Sequence, residues 1–127
     1  VRAATDVTGF ALLGHAWEMA RASRVTIEID SAKVPQIPGA FELAAQGLLT
    51  SGDKSNRLYV GEDIEISGGV DENLLRLFYD PQTAGGMLIS ISTDRANELL
   101  ARLHKTYAHA SIIGRVTMRG SHSIVVR

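Results

Sequence analysis

Apolar and polar positions change period several times along this chain, and each change predicts an element. From residue 9 to residue 24 the apolar positions Phe10, Leu13, Trp17 and Ala20 recur at helical spacing. Leu12, Ala16 and Met19 widen that stripe, and His15, Glu18 and Ala22 fall opposite. Val25-Thr26-Ile27-Glu28-Ile29-Asp30 alternates strictly, which predicts a strand with Val25, Ile27 and Ile29 toward the core. Pro35 and Pro38 bracket an extended passage. Residues 39–47 predict a short helix closed by Gly47. Residues 50–57 read as a polar loop, followed by short strands at 58–60 and 64–66 around a Gly61 turn.

The second half repeats these signals. Gly68-Gly69 breaks the chain, and Asp71 caps a helix carrying Leu74, Leu75 and Phe78 on one face. Met87-Leu88-Ile89-Ser90-Ile91 reads as a strand buried on both faces. Thr93-Asp94 opens a helix with Ala96, Leu99, Leu100 and Leu103 as its buried stripe. Residues 111–118 and 123–126 are expected to form a closing hairpin around Arg119-Gly120-Ser121. Helices and strands alternate, but the connections are uneven. The pattern predicts an α/β (α+β) fold in which a mixed sheet is flanked by helices.

At 127 residues the chain is long enough for one domain with a core, expected over 1–127. It is 45% hydrophobic and 21% charged, which excludes a disordered chain. Its net charge of −1 and lack of a basic tract give no support for nucleic-acid binding. No apolar run reaches membrane-spanning length. Without cysteine there is no disulfide, thiolate nucleophile or cysteine metal site. That composition, with no visible signal peptide, fits a cytoplasmic protein. The four histidines show no zinc-ligand spacing, and no complete nucleophile–base set is readable. The chain begins at Val1, already inside its most informative motif, so it is expected to be a piece of a longer protein.

That motif is Ala4-Thr5-Asp6-Val7-Thr8-Gly9-Phe10-Ala11-Leu12-Leu13-Gly14-His15. It sets a carboxylate, two hydroxyls and a glycine before a helix. Thr8 is expected as the N-cap. The amides and dipole of a helix start attract anions, and Asp6 adds a hard oxygen of the kind Mg²⁺ uses beside phosphate. On residue chemistry alone, a capped turn is the commoner explanation of Asp-x-Thr-Gly. A second unusual stretch, Asp80-Pro81-Gln82-Thr83-Ala84-Gly85-Gly86, ends in paired glycines. It lacks the P-loop pattern and its lysine, so on these residues alone tight packing of two backbones explains it better than a phosphate site. Asp80 reads as a turn residue.

Together these strings resemble the selenophosphate synthetase (selenide, water dikinase) family. The first is similar to the signature opening that family's C-terminal domain, and the second to its later glycine-rich signature. Val34-Pro35, Pro38-Gly39-Ala40, Glu42-Leu43-Ala44 and Ile112-Ile113-Gly114-Arg115-Val116 also match in order. Two departures stand out: Ala11 replaces a usual glycine, and Ala84 a usual serine. Ala11 is expected to suit a helix better than glycine, and Ala84 removes a hydroxyl. The resemblance implies the C-terminal domain fold of the aminoimidazole-ribonucleotide-synthetase-like superfamily. It implies a full-length, homodimeric enzyme making selenophosphate, AMP and phosphate from selenide, ATP and water with Mg²⁺. The reactive cysteine or selenocysteine, a lysine and most metal ligands would lie in an N-terminal domain. This domain would be inactive alone and would close over the nucleotide phosphates. By motif position Asp6 would be its metal ligand. Thr5, Thr8, Gly9, Gly85 and Gly86 would belong to the phosphate site, Thr8 chiefly as the cap. The alternatives are a non-catalytic binding or regulatory homologue, or another ATP-dependent member of the superfamily.

Overall fold

A computed structural model describes residues 1–127, and the apolar helix near the N-terminus organises it. The elements run β1 (Ala3–Asp6), α1 (Ala11–Ser23), β2 (Val25–Ile29), a 3-10 turn (Ser31–Lys33), α2 (Ala40–Ala45), α3 (Gly52–Val60) and β3 (Ile64–Ile66). They continue with α4 (Glu72–Tyr79), β4 (Met87–Ser90), α5 (Thr93–Leu103), β5 (Gly114–Met118) and β6 (Ile124–Val126). Four strands form one mixed sheet in the order β3-β6-β2-β5, and β1 and β4 form a separate antiparallel ribbon. This is the α/β arrangement of sheet and flanking helices that the alternating pattern predicts.

The core joins α1 to the sheet. Leu13, Ala16 and Ala20 are fully buried with Ile29, Ile124 and Val126 from β2 and β6. Leu75 and Phe78 of α4 and Val60 of α3 join the same cluster. Trp17 is buried there as expected, and its indole N–H donates to Asp63 Oδ2 at 3.0 Å. Asp71 caps α4 by accepting from the amides of Asn73 and Leu74, and Gly47 closes α2 at φ +79°.

Several expectations are overturned. Residues 52–57 are not a loop and 58–60 not a strand, because both belong to α3, and only Thr50 and Ser51 of the expected loop lie outside it. The residues that α3 buries are Asp53, Asn56 and Val60. An inward face that is mostly polar hides a helical period from any search for apolar residues. The closing hairpin does not form. β6 lies between β2 and β3 and runs parallel to both, whereas β5 pairs antiparallel with the other side of β2. β4 is not buried on both faces, since its only partner is β1 and Met87 is exposed. No residue of α5 is buried, and Ser92 rather than Thr93 occupies its N-cap position. Its apolar stripe lines an open cleft of about 710 Å³ with β4, β2 and β5.

Candidate functional site

The two unusual stretches meet. In the β1–β4 ribbon Asp6 lies opposite Met87. Beyond it the Val7 amide donates to Gly86 O at 2.8 Å, and the Gly85 amide to Val7 O at 3.0 Å. The Gln82 amide donates to Thr8 O at 3.1 Å, so residues 5–9 and 82–86 form one continuous surface. Gly85 is needed for packing: a side chain there would run into Val7 O and the Gln82 side chain. Its amide is spent on Val7, so it contributes close approach rather than a free donor. Gly9 and Gly86 face open space, which leaves their backbone accessible.

Asp6 is exposed, with no hydrogen bond or ion pair to its carboxylate. No three His, Asp or Glu side chains anywhere in the chain converge to hold a metal ion. Thr5 is half-buried and its hydroxyl turns back to Asp6 O at 3.2 Å. Asp80 does the work of a turn residue: it accepts from the Thr50 hydroxyl at 2.6 Å and the Thr50 amide at 3.3 Å.

Thr8 is not the N-cap of α1. The N-cap position is Phe10, and no side chain caps the helix. The Thr8 hydroxyl instead lies 3.0 Å from His15 Nε2, and His15 Nδ1 lies 3.1 Å from Glu18 Oε2. Glu18 Oε1 in turn accepts from the Tyr59 hydroxyl at 2.9 Å, a bond that raises the Tyr59 pKa. Phe10 stacks on Tyr59 and meets the His15 ring edge-on. The amides of Gly9 and Phe10 donate to nothing within the protein. Ala11 enters the helix at φ +60°, a left-handed conformation that favours glycine. The expectation that alanine suits this position better than glycine is therefore wrong, because this first residue of α1 has a positive φ that helical propensity does not describe.

Asn56 is a residue that sequence reasoning missed. Buried on α3, it donates from Nδ2 to Gly9 O at 3.0 Å and to Tyr79 O at 2.9 Å, clamping the two stretches together. Gly52 packs where any side chain would strike Pro81. Only the pairing of α3 with both stretches reveals these roles.

The domain presents one free carboxylate and open glycine backbone on two joined stretches, groups of the kind that can meet a metal ion or an anion. Its donor set is too small to stand alone. The chain belongs to the family of AIR synthase related proteins, matching the model of their C-terminal domain over residues 1–127. It is similar to the selenide, water dikinase of Clostridioides difficile, with 45% identity over 99% of this chain and 36% of that protein. Identity to the selenide, water dikinase of Caldanaerobacter subterraneus is 48%, over 100% of this chain and 37% of the relative. The Pseudomonas straminea selenide, water dikinase is 41% identical over 91% of this chain and 33% of its own length. The chain thus spans about a third of the length of these relatives.

Proposed function

We propose that this chain is the C-terminal domain of a longer selenide, water dikinase and that it completes a Mg·ATP phosphate site shared with an N-terminal domain. The single observation that carries this reading is the pairing of the Asp6 strand with the Gly85-Gly86 loop. It joins two stretches that carry an unpartnered carboxylate, two open glycines and two unused amides. Mg²⁺ takes one or two protein carboxylates and fills its remaining positions with phosphate oxygens and water. Asp6 fits that role as a single ligand, and the lack of a three-ligand cluster fits a site whose other ligands come from elsewhere. A magnesium ion there would neutralise phosphate charge during transfer.

The residues of this chain bind and orient. Asp6 offers its carboxylate to the metal–phosphate complex, while the Gly9 and Phe10 amides offer N–H groups to phosphate oxygen. Asn56 keeps the Gly9 turn in place. In the intact enzyme the overall reaction would convert selenide, ATP and water into selenophosphate, AMP and phosphate, in the cytoplasm. No nucleophile or general base on this surface could perform that reaction alone. In the full-length protein, Asp6→Asn is expected to retain the fold and lose most Mg·ATP turnover. Unchanged turnover would remove Asp6 from the site. ATP hydrolysis by the purified domain would contradict the division of labour.

A further inference from the structure

The Thr8 hydroxyl, two residues before the N-cap position of α1, bonds to none of the backbone amides that follow it. A Thr side chain just ahead of a helix can accept from a backbone amide one or two residues on. Here Thr8 spends its hydroxyl on His15, seven residues ahead. The same few residues also hold Ala11 in a left-handed conformation and leave the Gly9 and Phe10 amides without acceptors. Departures from local preference that cluster this way mark functional positions.

The hydrogen-bond chain has a direction. In the tautomer whose Nδ1–H donates to the Glu18 carboxylate, Nε2 is the acceptor for the Thr8 hydroxyl. Thr8 Oγ1 then keeps its lone pairs for an outside donor. Asp6 and Thr8 flank the buried Val7, Asp6 exposed at the end of β1 and Thr8 half-buried just beyond it. His15 itself is only 13% exposed, and Tyr59 on α3 fixes Glu18 from a different element.

We infer that His15 is a positioning residue: braced by Glu18 and Tyr59, it holds the Thr8 hydroxyl as an acceptor beside Asp6 and keeps it from capping the Gly9–Phe10 amides that receive phosphate. This rests on the phosphate-site reading above. Two residues from Asp6, Thr8 Oγ1 would accept from the water of a cation held there. His15 acts only through Thr8.

The test is a double-mutant cycle in the full-length protein, with Mg·ATP binding measured by calorimetry and folding checked by urea denaturation. Thr8→Val and His15→Phe should each weaken binding about tenfold. The double variant should be no weaker than either single one, because the second change removes nothing further. Thr8→Ser should restore binding. Additive losses, or Thr8→Val binding like wild type, would overturn the inference. If His15→Phe does not fold, Glu18→Gln completes the cycle, since Glu18 is 41% exposed. Asp6→Asn separates the two levels. If it binds like wild type, the phosphate-site reading fails. If it loses binding while Thr8 and His15 show no coupling, only the positioning role fails.

Discussion

Asp63 ties three parts of the fold to one carboxylate, and replacing it should reveal what that junction contributes. It accepts from Trp17 Nε1 of α1 at 3.0 Å, Arg119 Nη2 at 3.0 Å, the Ser123 amide at 2.8 Å and the Ser123 hydroxyl at 2.5 Å. Partial burial pushes its pKa up, but the Ser123 and Trp17 hydrogen bonds and the Arg119 charge outweigh that and hold it at about 2, against 3.8 ordinarily. At ~1.4 kcal/mol per pH unit the displacement corresponds to roughly 2 kcal/mol. Because the side chain keeps 27% of its surface in water, the expected contribution is about 1–2 kcal/mol. A depressed carboxylate pKa stabilises above the unfolded value, so this contribution is full above about pH 4 and is lost as pH falls toward 2. Asn at this position has one acceptor oxygen and presents an amide to donors. Asp63→Asn should therefore cost about 2–3 kcal/mol at pH 7, including the mismatched donor. Urea denaturation of both proteins from pH 7 to pH 2 should show the gap narrowing by about 1–2 kcal/mol below pH 4. Parallel stability curves would refute the assignment of this low pKa to native hydrogen bonds.

Three further outcomes follow from the packing. Gly114→Ala would drive a methyl group into the Glu28 carbonyl of the adjacent strand and should cost at least about 2 kcal/mol in urea denaturation. Arg24 ends α1 at φ +54°, so Arg24→Gly should stabilise the protein by about 0.5–1 kcal/mol, read as a rise in the urea midpoint. Asn56→Ala should cost about 2 kcal/mol by leaving the Gly9 and Tyr79 carbonyls unpaired, and in the full-length protein it should weaken Mg·ATP binding, measured by calorimetry.

Much of the architecture was legible because most elements bury an apolar face. α1, β2 and α4 follow the pattern of Leu13, Ile27, Ile29, Leu75 and Phe78. α3 was not legible, because Asp53 and Asn56 face inward and are satisfied by Arg76 and by backbone carbonyls of distant residues. The position of β6 was not legible either. Ile124 and Val126 announce a buried strand, but their partners on β2 and β3 lie far away in sequence. Adjacency along the chain suggested β5 instead. At the candidate site, the signature strings pointed to Asp6 and the glycine pair, and the fold brings those stretches together. The His15 relay escaped notice because His15 lies off the apolar stripe of α1 and its partner Thr8 was assigned to the helix cap. Ala11 escaped for a related reason: a helical propensity was applied to the first residue of α1, whose backbone is left-handed.

Mg·ATP calorimetry most directly tests the claim that this domain completes a shared metal–phosphate site. It would compare the isolated domain, the full-length protein and its full-length Asp6→Asn variant. Tight binding by the intact wild type alone is the expected result. Equal binding by wild type and variant would contradict it, leaving Asp6 as no more than the last residue of a strand.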